Sequence, residues 1–189
     1  MTLTDSNFVY CQGCGEVVET HRLVVEGALQ KRCIFCGLVL GTSVAGPATA
    51  ERAIVADDAQ TLSELIADLL VKGDLAREVR TCPNGREFLT EFTTALVARR
   101  PPGFVTLDVE MPLINGFQSA LAMRAIERGF GHARIPIIFF SVRKCDENFR
   151  KVLKACQPAV YLNKAGTADP QVIVDRLSAI IRQVLVKNE

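Results

Sequence analysis

From residue 51 onward, short apolar runs alternate with segments whose apolar residues recur at helical spacing. The runs stand at 53–56, 104–107, 135–140 and 159–162, with a weaker one near Val79. Strands of continuous apolar character that alternate with helices favour a parallel sheet covered by helices on both faces. The sequence therefore predicts a five-stranded α/β domain over residues 51–189.

The predicted helices are marked by apolar residues three and four positions apart. In the third helix Phe117, Leu121 and Ala125 lie on one face. The last helix begins at Asp169–Pro170, an N-cap residue followed by a proline that suits the first turn.

Polar residues stand at or just after the carboxyl ends of the predicted strands. They are Asp57, Asp58, Asp108, Ser141 and Lys164. Ligands of such sheets bind beyond this edge, so we expect the five side chains to converge there. Three neighbouring carboxylates repel one another unless a divalent cation or the lysine lies among them, and oxygen ligands favour Mg²⁺. This set can accept a phosphoryl group, because metal and ammonium neutralise charge on the transferring oxygens.

These residues, together with the segment 108–112 (DVEMP) and Gly116, resemble the receiver domain of bacterial two-component response regulators over about residues 51–189. The resemblance implies a flavodoxin-like, doubly wound sheet. It also implies a sensor histidine kinase or phosphotransfer protein as the phosphoryl donor and a downstream protein as the receiver of the signal.

The resemblance further implies a role for each site residue. Asp108 is the phosphoacceptor, while Asp58, Asp108 and the backbone carbonyl of Glu110 ligate Mg²⁺, and Asp57 contributes through water. Ser141 is expected to bond a phosphoryl oxygen, and Lys164 to pair with the phosphate. Tyr161, three residues before the lysine, matches the aromatic switch of the family, and an ordinary amphipathic tyrosine at a strand end is the alternative.

Two positions depart from the family pattern. Val142 replaces the small residue that usually follows the Ser/Thr, and its branched side chain is expected to crowd the phosphorylation pocket. A receiver that acts without phosphorylation is therefore an alternative. Ala165 replaces the proline after the lysine, which disfavours the usual cis peptide because a non-proline cis bond costs about 2.5–4 kcal/mol.

Phosphatases of the haloacid dehalogenase type also combine aspartates, a Ser/Thr, a lysine and Mg²⁺ on a parallel sheet. In those enzymes the nucleophile lies on the first strand and the acidic pair comes last. Here the pair Asp57–Asp58 comes first, and Glu110 stands where a second aspartate would follow the nucleophile. We therefore expect a receiver that catalyses only its own phosphorylation and dephosphorylation, not an enzyme.

The first 41 residues contain two C-x2-C pairs, Cys11/Cys14 and Cys33/Cys36, separated by 18 residues. This spacing is typical of structural zinc sites, and four thiolates leave the metal no open position. The segment resembles a zinc ribbon over roughly residues 8–41, and the alternative of two redox dithiols lacks the βαβ context that such motifs need. We predict a small β zinc ribbon at 1–41 and a linker at 42–50.

Composition limits the range of functions. The net charge is only +1, and residues 1–50 carry one more acidic than basic side chain. Nucleic-acid binding is therefore disfavoured, although a ribbon that contacts DNA or RNA as the output module is the alternative. We find no run of about 18 apolar residues that would insert in a membrane and no signal peptide, so we expect a cytoplasmic protein.

Overall fold

The computed structural model describes residues 8–25, 28–40, 49–164 and 170–186. Its N-terminal part is a four-stranded antiparallel sheet. The strands are β1 (Phe8–Cys11), β2 (Glu16–Val25), β3 (Ala28–Cys33) and β4 (Val39–Leu40), in that spatial order. Most of the predicted linker lies outside the described residues.

The second sheet is parallel and has five strands. They are β5 (Ala50–Ala56), β6 (Ala76–Cys82), β7 (Phe104–Leu107), β8 (Ile137–Ser141) and β9 (Ala159–Asn163). Their spatial order is β6-β5-β7-β8-β9, which is the 2-1-3-4-5 order of the flavodoxin-like fold. The predicted five-stranded parallel sheet is confirmed, and β5 begins at Ala50, the last residue of the predicted linker.

Helices cover both faces of this sheet. They are α1 (Gln60–Lys72), α2 (Gly85–Val97), α3 (Gly116–Gly129), α4 (Glu147–Ala155) and α5 (Pro170–Val186). Successive residues of a strand point to opposite faces, so Val55 packs in a cluster with Ile180 of α5, whereas Ile54 packs with Phe92 of α2 and Phe149 of α4. The Asp169 cap predicted for α5 lies outside the described residues.

The apolar face of α3 that the sequence marks is only partly buried: Phe117 packs edge-on against Phe139 and Phe149, but the other two residues do not. Leu121 is 50% exposed and Ala125 is exposed, whereas Arg124 and Glu127 are buried. The Arg124 guanidinium donates to both carboxylate oxygens of Glu127 at 2.7 Å and to the backbone carbonyl of Cys156. Because this internal ion pair is fully hydrogen-bonded, the helix turns its charged residues inward and leaves Leu121 in solvent.

The N-terminal sheet packs against β9 and α5. The backbone N–H of Asn163 donates to the carbonyl of Gly13 at 2.7 Å, and the buried Arg176 donates to the carbonyl of Gln12 at 2.8 Å. A Cβ at Gly13 would lie 2.6 Å from the carbonyl oxygen of Tyr161, so only glycine permits this approach. The contact covers the Asn163 end of the outer edge of β9, which would otherwise present unpaired backbone groups.

The two sheets share apolar packing as well as hydrogen bonds. Val18, Leu38 and Leu40 belong to the same buried cluster as Leu177 and Ile181 of α5. No helix of the described residues is both long and apolar enough to cross a membrane.

Candidate functional site

Three aspartates meet at the carboxyl edge of the parallel sheet. Asp57 and Asp58 follow β5 and Asp108 follows β7, and these strands are neighbours whose last paired residues are Ala56 and Leu107. Carboxylate oxygens of the three side chains lie within 4.8 Å of one another. Asp57 and Asp108 are buried, whereas Asp58 is exposed, so the cluster opens to solvent on one side and could hold a cation.

Lys164 provides the positive charge of this cluster. Its ammonium lies 2.6 Å from an oxygen of Asp57 and 3.3 Å from an oxygen of Asp108, and its side chain is only 11% exposed. The backbone N–H of Lys164 donates to the carbonyl of Ser141 at 2.9 Å, which fixes the start of the loop after β9. The sequence-based expectation that lysine and carboxylates converge agrees with this geometry.

Asp108 lies in a tightly built loop. Its Oδ1 accepts the backbone N–H of Val109 at 2.8 Å. The N–H of Gly116 donates to the carbonyl of Val109, and a Cβ at Gly116 would collide with the backbone carbonyl of Asp108. Burial raises the pKa of Asp108, and the nearby Lys164 only partly opposes this effect. The group is therefore a desolvated carboxyl beside a cation, with little of the hydration that weakens a nucleophile.

Substitution of Asp108 by asparagine is expected to stabilise the fold at neutral pH in Mg²⁺-free buffer. Because burial raises the pKa of Asp108 in the folded state, this group destabilises the fold increasingly as pH rises above the ordinary carboxyl pKa of about 3.9. Asparagine carries no charge and has no such penalty. The Tm of Asp108→Asn should therefore equal that of the parent at about pH 4 and exceed it by about 3 °C near pH 7.5. Thermal unfolding of the parent and of Asp108→Asn between about pH 4 and pH 7.5 measures this difference in Tm. A difference independent of pH would contradict the argument.

Ser141 and Tyr161 are connected through the backbone of Arg143. The hydroxyl of the fully buried Ser141 accepts the N–H of Arg143 at 3.2 Å. The hydroxyl of Tyr161 donates to the carbonyl of the same residue at 2.8 Å, and its ring packs edge-on against Phe149. Tyr161 is thus turned into the protein, with 2% of its surface exposed. A shift of Ser141 would disturb the partner of the tyrosine hydroxyl.

Three further positions were singled out in the sequence, and two of them are exposed. Glu110 is exposed in the loop after Asp108. Val142 is 58% exposed, so its side chain is directed mainly to solvent. Ala165 lies outside the described residues.

The four N-terminal cysteines form a second cluster. Their sulfurs lie within 4.8 Å of one another, with Cys11 and Cys36 3.5 Å apart and Cys14 and Cys33 3.7 Å apart. The sulfur of Cys33 accepts the backbone N–H groups of Phe35 and Cys36, at 3.4 and 3.5 Å. Hydrogen bonding with Cys11 lowers the pKa of Cys33 and raises that of Cys36. The cluster could hold one metal ion, and His21 is exposed and outside it.

The other cysteines lie in the α/β part. Burial raises the pKa of Cys82 and of Cys145 to about 12, and it raises the pKa of Cys156 as well. They are therefore thiols at neutral pH.

Sequence reasoning missed a buried residue that joins the N-terminal sheet to α5. Arg176 lies on the apolar face of α5, three residues after Ile173 and four before Ile180, and is 3% exposed. An arginine in the middle of an apolar face was the available signal, because arginine is rarely buried without a partner. The partners are carbonyls about 160 residues away in the chain.

Comparison with known proteins identifies the family of the chain. The family model described as "Response regulator receiver domain" matches residues 53–178. A protein-glutamate methylesterase/protein-glutamine glutaminase of a Nocardioides species is 37% identical over 90 residues, which cover 48% of this chain and 22% of that protein. The chain therefore spans about a fifth of the length of that relative.

Two solved structures have the same fold. The receiver domain of the histidine kinase CKI1 from Arabidopsis thaliana, complexed with Mg²⁺ and BeF₃⁻, gives a TM-score of 0.61 at 22% identity, over 74% of this chain and 91% of that chain. The response regulator domain of Thermotoga maritima CheB gives a TM-score of 0.56 at 19% identity, over 71% of this chain and 96% of that chain. With the family model covering most of the chain, the protein belongs to the response regulator receiver domain family.

Proposed function

We propose that this protein is a phosphorylation-switched component of two-component signalling, in which Asp108 accepts a phosphoryl group. One observation carries the proposal: the ammonium of Lys164 lies within 3.3 Å of both Asp57 and Asp108, inside a three-carboxylate cluster at the ligand-binding edge of the sheet. A sensor histidine kinase or a phosphotransfer protein would supply the phosphoryl group.

The chemistry is a transfer between two nucleophiles. A carboxylate oxygen of Asp108 attacks the phosphorus, a new O–P bond forms, and the bond between phosphorus and the donor atom breaks with its electron pair leaving on the donor. Lys164 already contacts Asp108, so it is positioned to neutralise charge on the transferring oxygens. Burial of Asp108 limits the access of water that would compete as a nucleophile.

The acidic cluster fits a magnesium ion. Three carboxylates with oxygens within 4.8 Å of one another, one of them exposed, are donors of the kind that Mg²⁺ prefers. We assign the ion to Asp58, Asp108 and the backbone carbonyl of Glu110, with Asp57 contributing through water. When bound, Mg²⁺ supplies positive charge to the phosphoryl oxygens.

The contacts of Ser141 support a route by which phosphorylation alters the surface. If the Ser141 hydroxyl bonds a phosphoryl oxygen, its hydrogen bond with the N–H of Arg143 changes. The carbonyl of Arg143, which accepts the hydroxyl of Tyr161, would then move as well. The backbone of Tyr161 contacts Gly13 of the N-terminal sheet. Phosphorylation would thus bias both Tyr161 and the contact between the two sheets, which makes Tyr161 a switch residue.

We assign a structural Zn²⁺ to Cys11, Cys14, Cys33 and Cys36, which makes the N-terminal sheet a zinc ribbon. Sulfurs at the corners of a tetrahedron with Zn–S bonds of about 2.3 Å lie about 3.8 Å apart. The observed separations of 3.5 and 3.7 Å agree with this value. Backbone N–H donors to Cys33 would stabilise the thiolate form.

The output of the signal is binding of a protein partner by the receiver surface, the ribbon or both. Outside its own phosphorylation and dephosphorylation we assign the chain no catalytic activity. In the matched methylesterase relative, the aligned 90 residues are only 22% of the protein. The small net charge supports a protein rather than a nucleic-acid partner.

Incubation with acetyl phosphate and Mg²⁺ is expected to add one phosphoryl group, visible by intact-protein mass spectrometry. The reason is that acetyl phosphate carries a transferable phosphoryl group and Asp108 is the nucleophile beside Lys164. Peptide mapping should place the modification on Asp108.

The Asp108→Asn protein should show no gain. The matched control is Asp68→Asn, which removes an exposed carboxylate of α1 that pairs with Lys72 across one helical turn. This variant should be phosphorylated like the parent. The proposal fails if the parent gains nothing, or if Asp108→Asn still gains the group.

A further inference from the structure

The loop 12–15, which joins β1 to β2, lies against the end of β9, directly before Lys164. The carbonyl of Gly13 accepts the backbone N–H of Asn163 at 2.7 Å. On its other side β9 pairs with β8, and the N–H of Lys164 donates to the carbonyl of Ser141 at 2.9 Å. The segment that carries the lysine into the aspartate cluster is therefore held by the parallel sheet on one side and by the N-terminal sheet on the other.

Arg176 of α5 fixes this loop in place. Its Nε donates to the carbonyl of Gln12 at 2.8 Å, and its Nη2 donates to the carbonyl of Gly13 at 3.2 Å. A Cβ at Gly15 would lie 2.7 Å from the guanidinium, so the loop closes directly over the arginine. The planar guanidinium orients two carbonyls at once. The direction in which the Gly13 carbonyl meets Asn163 is thus set by α5.

The backbone at Asn163 determines where the ammonium of Lys164 lies, because the two residues share a peptide bond. That ammonium is 2.6 Å from Asp57 and 3.3 Å from Asp108. The aspartates follow β5 and β7, which lie inside the sheet, whereas the lysine follows its edge strand. Of these three groups, only the lysine is connected directly to the strand that contacts the N-terminal sheet. A displacement of about 1 Å at a reacting group can cost about 100-fold in rate.

We propose that Gly13 and Arg176 are positioning residues for Lys164, so that the rate of phosphorylation of Asp108 depends on docking of the N-terminal sheet. Arg176 orients the Gly13 carbonyl, this carbonyl holds the N–H of Asn163, and the lysine side chain extends from the next residue. The coupling rests on the proposed function and adds a regulatory input to the same site. Loss of the metal assigned to the four cysteines would undock the sheet and slow the transfer.

Gly13→Ala is the first test. The added Cβ would lie 2.6 Å from the carbonyl oxygen of Tyr161, so it forces the loop away from β9. The backbone of Gly13 is outside the left-handed region, so alanine can adopt its conformation. In the full-length protein, transfer from acetyl phosphate to Asp108 should become about tenfold slower, because the ammonium is displaced and not removed. Zinc content should stay at about one ion per chain.

A double variant separates positioning from a general disturbance of the fold. Without the ammonium there is nothing to misplace, so Gly13→Ala combined with Lys164→Met should be phosphorylated no more slowly than Lys164→Met alone. A second measurement needs no phosphorylation. In Mg²⁺-free buffer, Lys164→Met should lower the Tm by roughly half as much in the Gly13→Ala background as in the parent, because the ion pairs are already weakened there. Failure of the proposed function would instead abolish phosphorylation of the parent itself.

Gly129→Ala is the matched control, because it makes the same change in α3 at a position where a Cβ meets nothing within 4 Å. It should keep the parental rate. Arg176→Lys keeps the charge but lacks the planar set of donors, so it should slow the transfer about threefold. This variant decides the question by the same criteria if Gly13→Ala loses its zinc or does not fold. A parental rate, an equal slowing in the Lys164→Met background, or an undiminished loss of Tm would each overturn the proposal.

Discussion

Replacement of Lys164 by methionine is expected to slow phosphoryl transfer from acetyl phosphate to Asp108 about 100-fold, the usual cost of removing one group that stabilises transition-state charge. The same change leaves the buried Asp57 and Asp108 without their cation. In Mg²⁺-free buffer the free energy of unfolding should fall by roughly 3 kcal/mol, because a buried carboxylate that loses its partner is strongly destabilising. Added Mg²⁺ should recover much of this loss of stability but little of the rate.

The rate is measured by mass spectrometry at timed intervals, and the stability by urea unfolding with and without Mg²⁺. Lys144→Met is the matched control, because it removes the charge of an exposed lysine. In Lys144→Met, the rate of phosphoryl transfer and the free energy of unfolding should stay close to those of the parent. If Lys164→Met is phosphorylated at the parental rate, the role of the lysine in transfer is refuted. If its stability is unchanged, the ion pairs contribute nothing to the fold.

The sequence predicted the aspartate site because the information is local. An apolar run marks each strand, and the residue after it is placed at the edge of the sheet by covalent connection alone. Once the strands are parallel, Asp57 and Asp108 must be close, since β5 and β7 are adjacent. The two C-x2-C pairs could likewise be recognised from the sequence alone, because their spacing is a property of neighbouring residues.

What the sequence did not predict depends on contacts between distant residues. In α3, apolar periodicity takes no account of a buried ion pair, and the pair of Arg124 with Glu127 turned Leu121 outward. The docking of the N-terminal sheet depends on Arg176 and the carbonyl of Gln12, 164 positions apart in the chain. No pattern within a helix or strand specifies that encounter.

The second large effect is expected from the N-terminal cysteines. Purified protein should contain about one Zn²⁺ per chain, and Cys33→Ser should contain almost none. Because free energies of roughly 10–16 kcal/mol accompany binding of structural zinc, the N-terminal sheet should unfold in the variant. The loss should then spread to β9 and α5, since Asn163 loses its bond to Gly13 and Arg176 loses the carbonyl of Gln12.

Metal analysis by mass spectrometry measures the zinc, and amide hydrogen exchange measures the spread of unfolding. Protection should fall in 8–40 and at Asn163, while the central strand β7, flanked by β5 and β8, should keep its protection. Cys145→Ser is the matched control, because Cys145 is a partly buried cysteine outside the cluster. Cys145→Ser should keep both its zinc and the protection of its amide hydrogens from exchange. Full zinc content in Cys33→Ser would refute the metal assignment, and zinc loss with unchanged protection at Asn163 would show that the docked sheet does not stabilise β9.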